Sequence, residues 1–519
     1  MVSPADSGKF SGNSKTDEMD RRTASINPLA LPYPWWYELY KRIKLVPWWI
    51  SYNFGIAREA VLKDRIIELA CSLGLQDYWV KRVVRHAVSE FSKKGLGPDY
   101  YGYHTIDHEL EATYFTLLAA KGLKGVKELS YKDVSYLFVS ALFHDFDPLK
   151  EFDKPNEDSI EWFLRHDDRI QKFMQEVGIS IDIVMALIHR TAYPFVGEIK
   201  EKTVKRMQEL FTSAGIPEHD LKTRRHYEEL GWFLSVAERI AGYALGDFTR
   251  STELAKRNAH ALGWHPSVIN VESVKYFSVL KEEKEMVDLV LHGVPEEYRK
   301  RFHDNVASFK QEWEKEMEVR SLVLKNRFEL VPVVEEMRRY LDPDLKESLY
   351  KLYRALPSPI RVEENDFRKS LMHNDTLLVT LKTNDNYGAV VGYAKGGPLE
   401  SYKLRRGTDD ENMGERNTIY LEAMSIEPGY WGGNGGRLLR RKFLNEAKKK
   451  GYQFVSAYAH RNVIERRITM GEPIEIVRKY DPDKLDYYRL SLAELPAADV
   501  LPSLVATSEQ EGLQEQQNL

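Results

Sequence analysis

The sequence predicts a multidomain protein: an all-α domain followed by an α/β (α+β) domain built on a central mixed sheet. Three observations predict it. From about Arg58 to Ala244 apolar residues recur at three- and four-residue spacing, as in AREAVLKDRIIELACSLGL and DVSYLFVSALFHDF, and strand-like alternation is scarce. After about Val323 short β-rich runs separated by turn signals take over. The length, 519 residues, exceeds what one core organises at roughly 150 residues per domain.

Taken in order, residues 1–27 are rich in Ser, Asp and Lys and nearly lack large apolar side chains, which predicts a disordered tail. Residues 28–57 form an aromatic arm carrying Trp35, Trp36, Trp48 and Trp49. Its apolar stretches are short and broken by prolines. This favours an arm packed on the first domain or on a second subunit, a route to a homo-oligomer, over membrane association. The helical domain spans 58–265. Residues 266–322 continue as charged amphipathic segments, such as VKYFSVLKEEKEMVDLVLHGV, expected to form a solvated helical connector. The second domain spans 323–496, with strands at 376–383, 388–396, 417–426 and 453–460 and a basic helix, RLLRRKFLNEAKKK, at 437–450 between the last two. A flexible tail, 497–519, ends in EQEGLQEQQNL.

Composition narrows the function classes. A hydrophobic fraction of 43% with 30% charged residues excludes a wholly disordered or fibrous chain. Lys+Arg of 75 against Asp+Glu of 79 leaves a net charge of −4, so no global basic field marks a nucleic-acid binder. One cysteine, Cys71, excludes an internal disulfide and a thiolate zinc cluster and suits a reducing compartment. The N-terminus lacks a signal-peptide pattern and no apolar run reaches about 18 residues, so a soluble cytoplasmic protein is expected.

Two constellations carry chemistry. The helical half holds YHTIDHE (103–109), FHDFDP (143–148) and SVAERIAGYALGD (235–247). His104 and His108 are four residues apart and would share one helix face. His144 and Asp145 close an apolar run, where a helix end can turn both side chains onto one cation. These motifs resemble the HD superfamily of metal-dependent phosphohydrolases, an all-helical family, over roughly residues 80–250. Asn156, Glu157 and Ser159 resemble a segment that follows the HD pair in one subgroup. The resemblance implies a divalent metal (Zn, Mn, Fe or Mg) on His108, His144 and Asp145, with His104 the nearby acid for a leaving oxygen. It implies a phosphate ester or nucleotide as substrate. The last ligand would be Glu238, where the family usually has Asp, with Asp247 as the alternative. His189 would serve a second metal or a phosphate, and Arg190 or Arg239 would offset phosphate charge.

In the β-rich half, a strand ends in a proline, then a Gly-rich turn, then a basic helix: TIYLEAMSIEPGYWGGNGGRLLRRKF. Bare backbone N–H groups at such a helix start can cradle a pyrophosphate. The order strand, turn, helix, strand resembles the GNAT (Gcn5-related) N-acetyltransferases over about residues 325–495. The resemblance implies acetyl-CoA as cofactor, bound by Ile426, Trp431, Gly432, Gly433, Asn434, Gly435, Gly436 and Arg437, and an amine acceptor. Trp431 and Asn434 depart from the family's turn motif. Glu422, placed by strand alternation on one face with Met424 and Ile426, would deprotonate the amine. Tyr480, Tyr487 or Tyr488 would protonate the departing thiolate, with nothing in the sequence selecting among them.

Together these imply a bifunctional phosphohydrolase and N-acyltransferase. The alternatives are an acetyltransferase regulated by a non-catalytic HD sensor, an HD-fold di-iron oxygenase, or a non-catalytic interaction protein.

Overall fold

The computed structural model describes residues 58–94, 104–123, 128–148, 157–261, 269–326, 329–336, 341–384, 388–431, 434–481 and 484–495. The expectations for 1–27, 28–57 and 497–519, and those for Asn156, Gly432 and Gly433, fall outside these residues.

The first half is helical: α1 (Arg58–Ser72), α2 (Asp77–Lys94), α3 (Ile106–Gly122), α4 (Tyr131–Phe143), α5 (Glu157–His166), α6 (Asp168–Val177), α7 (Ile181–His189), α8 (Gly197–Ser213), α9 (Leu221–Leu245), α10 (Phe248–Ala261), α11 (Ile269–Glu282), α12 (Lys284–His292) and α13 (Glu296–Asn326). Helix α4 is the centre of this body. Ser130 and Asp133 form a capping box at its start, and every residue from Asp133 to Phe143 is buried. A helix apolar on all sides must be surrounded, and α3, α7 and α9 surround it.

The stretch expected as a solvated connector is instead part of this body. Phe277, Leu280, Met286, Val290, Leu291, Phe302 and Phe309 lie in one hydrophobic cluster with residues of α1 to α9. Most of the charged positions that suggested solvation, Lys281, Glu282, Lys284 and Glu285 among them, are exposed, while Glu283 turns inward. Backbone meets backbone where α3 and α12 end: a Cβ on Gly122 would sit 1.9 Å from the Gly293 carbonyl oxygen. Glycine is required at both positions for that approach.

The second half is a seven-stranded mixed sheet in the order β1-β2-β3-β4-β5-β7-β6. Its elements are β1 (Leu330–Glu335), α14 (Pro343–Ala355), α15 (Glu364–Ser370), β2 (Leu377–Thr383), β3 (Val390–Pro398), β4 (Thr418–Ile426), α16 (Gly435–Lys449), β5 (Phe454–His460), α17 (Arg461–Thr469), β6 (Ile474–Arg478) and β7 (Leu485–Ser491). Strand alternation divides the core. Val379 and Leu381 face Leu439 and Phe443 of α16, while Leu378 and Tyr393 face Leu349, Tyr353 and Phe367 of α14 and α15. Strands β1 and β6 lie outside the runs expected from sequence. Each has six residues or fewer and sits at a sheet edge, which leaves little periodicity to detect.

Among the described strands only β4 and β5 pair in parallel, and only briefly. Thr418, Ile419 and Tyr420 pair with Phe454, Val455 and Ser456, after which both strands continue without pairing to each other. The two halves touch where a Cβ on Gly429, in the turn after β4, would meet Val319 of α13 at 2.6 Å. No helix among the described residues is long and apolar enough to cross a membrane.

Candidate functional sites

In the helical half, α4 ends at Phe143 and delivers His144 and Asp145 into the core. The pair is locked from behind: Phe91, Phe143, Phe146 and Phe163 stack with ring centroids 4.8 to 6.3 Å apart. Helix α3 presents His108 one turn after its N-cap, Thr105. The three side chains converge. His108 Nε2 and His144 Nε2 are 3.2 Å apart, and each is 3.2 Å from Asp145 Oδ2. His144 Nδ1 lies 3.0 Å from both the Ala141 carbonyl and Glu109 Oε2. An Nδ1 proton held there leaves the Nε2 lone pair facing the centre.

His104 precedes the N-cap, so it is not on the helix with His108, contrary to the i, i+4 expectation. It still reaches the group: its ring meets His108 edge-on at 5.7 Å, and its Nε2 is 3.6 Å from Asp145 Oδ2. Glu238 of α9 also joins. Its carboxylate oxygen, His108 and His144 present ligand atoms within 4.8 Å of one another. Asp247 instead accepts from the Arg250 amide at 2.8 Å, capping α10. His189 stands apart beside Glu161 at 3.9 Å, where Arg165 and Arg206 also hold that carboxylate. Glu157 and Ser159 open α5.

Burial sets the electrostatics of this group. Burial pulls His108 down to about 4, against its hydrogen bond to Asp145. Burial also opposes charge on His144, but Asp145 and Glu109 outweigh it and raise the imidazole well above its ordinary value. Burial pushes Glu238 up to about 8 and Glu109 up to about 7. A buried carboxylate held neutral, beside histidines facing one oxygen, lacks a positive charge that a divalent ion would supply. The donor set fits one: ligand atoms about 3–3.5 Å apart suit a cation about 2.1 Å from each, and two imidazoles with a carboxylate are borderline ligands.

In the β half, the strand glutamate is displaced from its expected face. The β3–β4 register runs Lys395↔Ala423 and then Gly396↔Leu421, so Glu422 is the extra residue of a β-bulge. Leu421 and Met424 lie on the α16 side, while Ala423 lies on the other. Glu422 thus shares no face with Met424 and Ile426. It makes an ion pair with Lys395, and the two side chains are 0% and 1% exposed. Tyr402 Oη donates to Glu422 Oε2 at 3.1 Å, and Lys395 Nζ donates to Ser370 Oγ at 2.7 Å. Burial lowers Lys395, with Glu422 resisting the shift.

The turn before α16 also differs in detail. Asn434 adopts the left-handed conformation, φ +62°, with no side-chain cap on the helix. Gly435 is needed for packing, since a Cβ there would lie 2.7 Å from Leu381 Cδ2 and 3.1 Å from Leu330 Cδ1. Gly436 has room, its nearest neighbour being Ile426 Cδ1 at 3.7 Å. Arg437 is exposed in the first turn. The Ile426 carbonyl accepts from Trp431 Nε1 at 3.1 Å, so Trp431 ties down the strand end.

Each tyrosine is engaged. Tyr480 Oη bonds Thr408 Oγ1 at 2.5 Å and donates to the Arg406 carbonyl at 3.1 Å. Tyr487 Oη donates to Asp410 Oδ2 at 2.6 Å, and Tyr488 Oη accepts from Arg467 at 2.8 Å. Sequence reading passed over Lys395, Tyr402 and Ser370, the partners that seal Glu422. Only the buried lysine in GAVVGYAKG hinted at them.

No family model matches the chain, and no curated protein matches it in sequence. Solved structures match its C-terminal part. A GNAT-family acetyltransferase from Staphylococcus aureus Mu50 aligns at 14% identity over 31% of this chain and 99% of its own, TM-score 0.22. The ribosomal-protein-S18-alanine N-acetyltransferase of Escherichia coli aligns at 14% over 32% and 98%, TM-score 0.22. A putative acetyltransferase from Salmonella typhimurium, solved with acetyl-CoA, aligns at 19% over 33% and 98%, TM-score 0.22.

Proposed function

We propose that the chain carries two centres, an acetyl-CoA-dependent N-acyltransferase in the β half and a divalent-metal phosphohydrolase in the helical half. The observation that carries the first is the parting of β4 and β5. Beyond Tyr420, β4 keeps its pairing to β3 but has no β5 partner, so its other edge offers main-chain groups to an extended ligand. The start of α16 stands after that strand, where the amides of Gly435, Gly436 and Arg437 precede the first intrahelical bond, from Leu438 to the Asn434 carbonyl. An extended amide-bearing arm ending in a pyrophosphate fits this pairing of edge and helix start. Acetyl-CoA supplies the activated acyl group when bound. The chain's own part is to hold the arm along β4 and the pyrophosphate at α16. Glu422, sealed by Lys395, supports the bulge that shapes this edge. Titration calorimetry with acetyl-CoA tests the reading. Wild type binds one equivalent, and Gly436→Glu, which has room for the side chain but places a carboxylate at the phosphate position, weakens binding at least tenfold. No heat in wild type, or equal affinities, overturns it.

The second centre is favoured by the triangle of His108, His144 and Asp145, with Glu238 alongside. A metal held there would activate water and polarise a phosphoryl oxygen. His104, at the edge of the group, would pass a proton to a departing oxygen, and Glu109, 3.0 Å from His144 Nδ1, would fix the His144 tautomer. Elemental analysis of the purified chain is expected to find one divalent ion per chain, lost in Asp145→Ala. Metal-free wild type, or unchanged content in the variant, overturns it.

A further inference from the structure

Beside the histidine centre lies a second group of buried charges, assembled from α7, α9 and the link between α11 and α12. Arg190 caps the end of α7 and Arg239 follows Glu238 on α9; they are 8% and 6% exposed. Both turn to one carboxylate. Arg239 Nη1 is 2.6 Å from Glu283 Oε1, and Arg190 Nη2 is 3.5 Å from Glu283 Oε2, while the Trp232 indole N–H also donates to Glu283. Two guanidiniums therefore share one bridging carboxylate, with Glu238 also acting on Arg239. Arg190 Nη1 and Arg239 Nη2 are buried, and no group among the described residues accepts from either. Burial pulls Arg190 down to about 10; Glu283 resists the shift, and the Arg239 charge adds to it.

The arrangement is built rather than incidental. A Cβ on Gly231 would meet the Arg190 stem at 2.9 Å, so glycine opens the path along which that side chain crosses α9. Arg190 lies 3.7 Å over the Phe195 ring, and Arg239 lies 5.8 Å from the ring of Tyr193, which is 37% exposed. The Arg239 Nε is fixed by the Ser235 carbonyl at 2.9 Å, which aims the guanidinium. A structural ion pair needs only one arginine for Glu283. The second arginine, together with the Nη group that each arginine leaves without an acceptor, favours an incoming anion. Planar guanidinium forks match tetrahedral oxyanions, which accept from several N–H groups at once.

We infer that Arg190 and Arg239 form a receptor for a dianionic phosphoryl group of a small phosphate ester, with Glu283 as the internal counter-anion that holds both guanidiniums in place. The site deepens the phosphohydrolase reading, resting on it only for the ester's fate, because Arg239 adjoins Glu238 and would hold an anionic group next to the histidine triangle. Its test leaves the metal aside. Inorganic phosphate is titrated calorimetrically into the full chain after treatment with a chelator. Wild type is expected to bind one phosphate. Arg190→Gln, which keeps the Arg239–Glu283 pair, is expected to bind at least tenfold more weakly. Glu283→Gln, which frees both guanidiniums, is expected to bind severalfold more tightly. A purely structural cluster would not give this opposite response. Absence of phosphate binding in wild type, or equal affinity in wild type and Arg190→Gln, overturns the inference; if Glu283→Gln does not fold, Arg190→Gln decides alone. Failure of the phosphohydrolase reading would appear separately, as absence of metal in the untreated protein.

Discussion

At Glu422 one extra residue in a strand turns a carboxylate from the α16 face to the opposite one, where Lys395 seals it. Period-two alternation cannot foresee a bulge, because the bulge breaks that period. The pair carries a prediction. Breaking a buried ion pair leaves its partner uncompensated, at about 3–5 kcal/mol. Glu422→Gln should therefore destabilise the β half by about that much in urea unfolding, and adding Lys395→Met should recover most of the loss. A Glu422→Gln protein of wild-type stability would show instead that the carboxylate is not held as a structural ion. The histidine site was more legible at this scale. An HD pair closing an apolar run ends a buried helix, so both side chains turn inward together. Glu238 was legible as a candidate only, and its place beside His108 and His144 depends on how α9 crosses α3 and α4. Arg190 and Arg239 were legible as alternatives for a phosphate, but that both turn to Glu283 was not, because the three come from segments whose packing no local pattern encodes.

Among the elements, strands β2 to β5 and helix α16 lie close to where alternation and turn residues put them, since each has a strong local period bounded by Gly, Pro or Asn. Helices α11 to α13 went the other way. Their many charges suggested solvation, but the apolar residues between them form a buried stripe, and a charged outer face is compatible with a packed inner one. The turn before α16 shows a similar division of labour. Gly435 serves packing and Gly436 leaves space, although both look alike in sequence. Gly435→Ala is thus expected to cost about 1–3 kcal/mol by overpacking against Leu381 and Leu330, and Gly436→Ala to stay within about 1 kcal/mol of wild type. Thermal or urea unfolding of the two variants checks this, and equal behaviour would contradict it.

Over the whole molecule, a helical body and a mixed sheet each gather one kind of charge-bearing site. The net charge of −4 conceals both a buried set of imidazoles and carboxylates and a helix start backed by basic residues. The long helix α13 links them, running from the core of the first half to the turn that precedes α16, where Val319 covers Gly429. One chain would hold a cation centre in its helical half and an acyl-CoA cleft in its β half. A crystal structure of the full chain grown with acetyl-CoA, with data collected at the absorption edges of candidate metals, tests it most directly. The predicted result is an anomalous peak within bonding distance of His108 Nε2, His144 Nε2 and Asp145 Oδ2, and cofactor density between β4 and β5 leading to the start of α16. A structure with no peak at the triangle and no cofactor between the strands would contradict it.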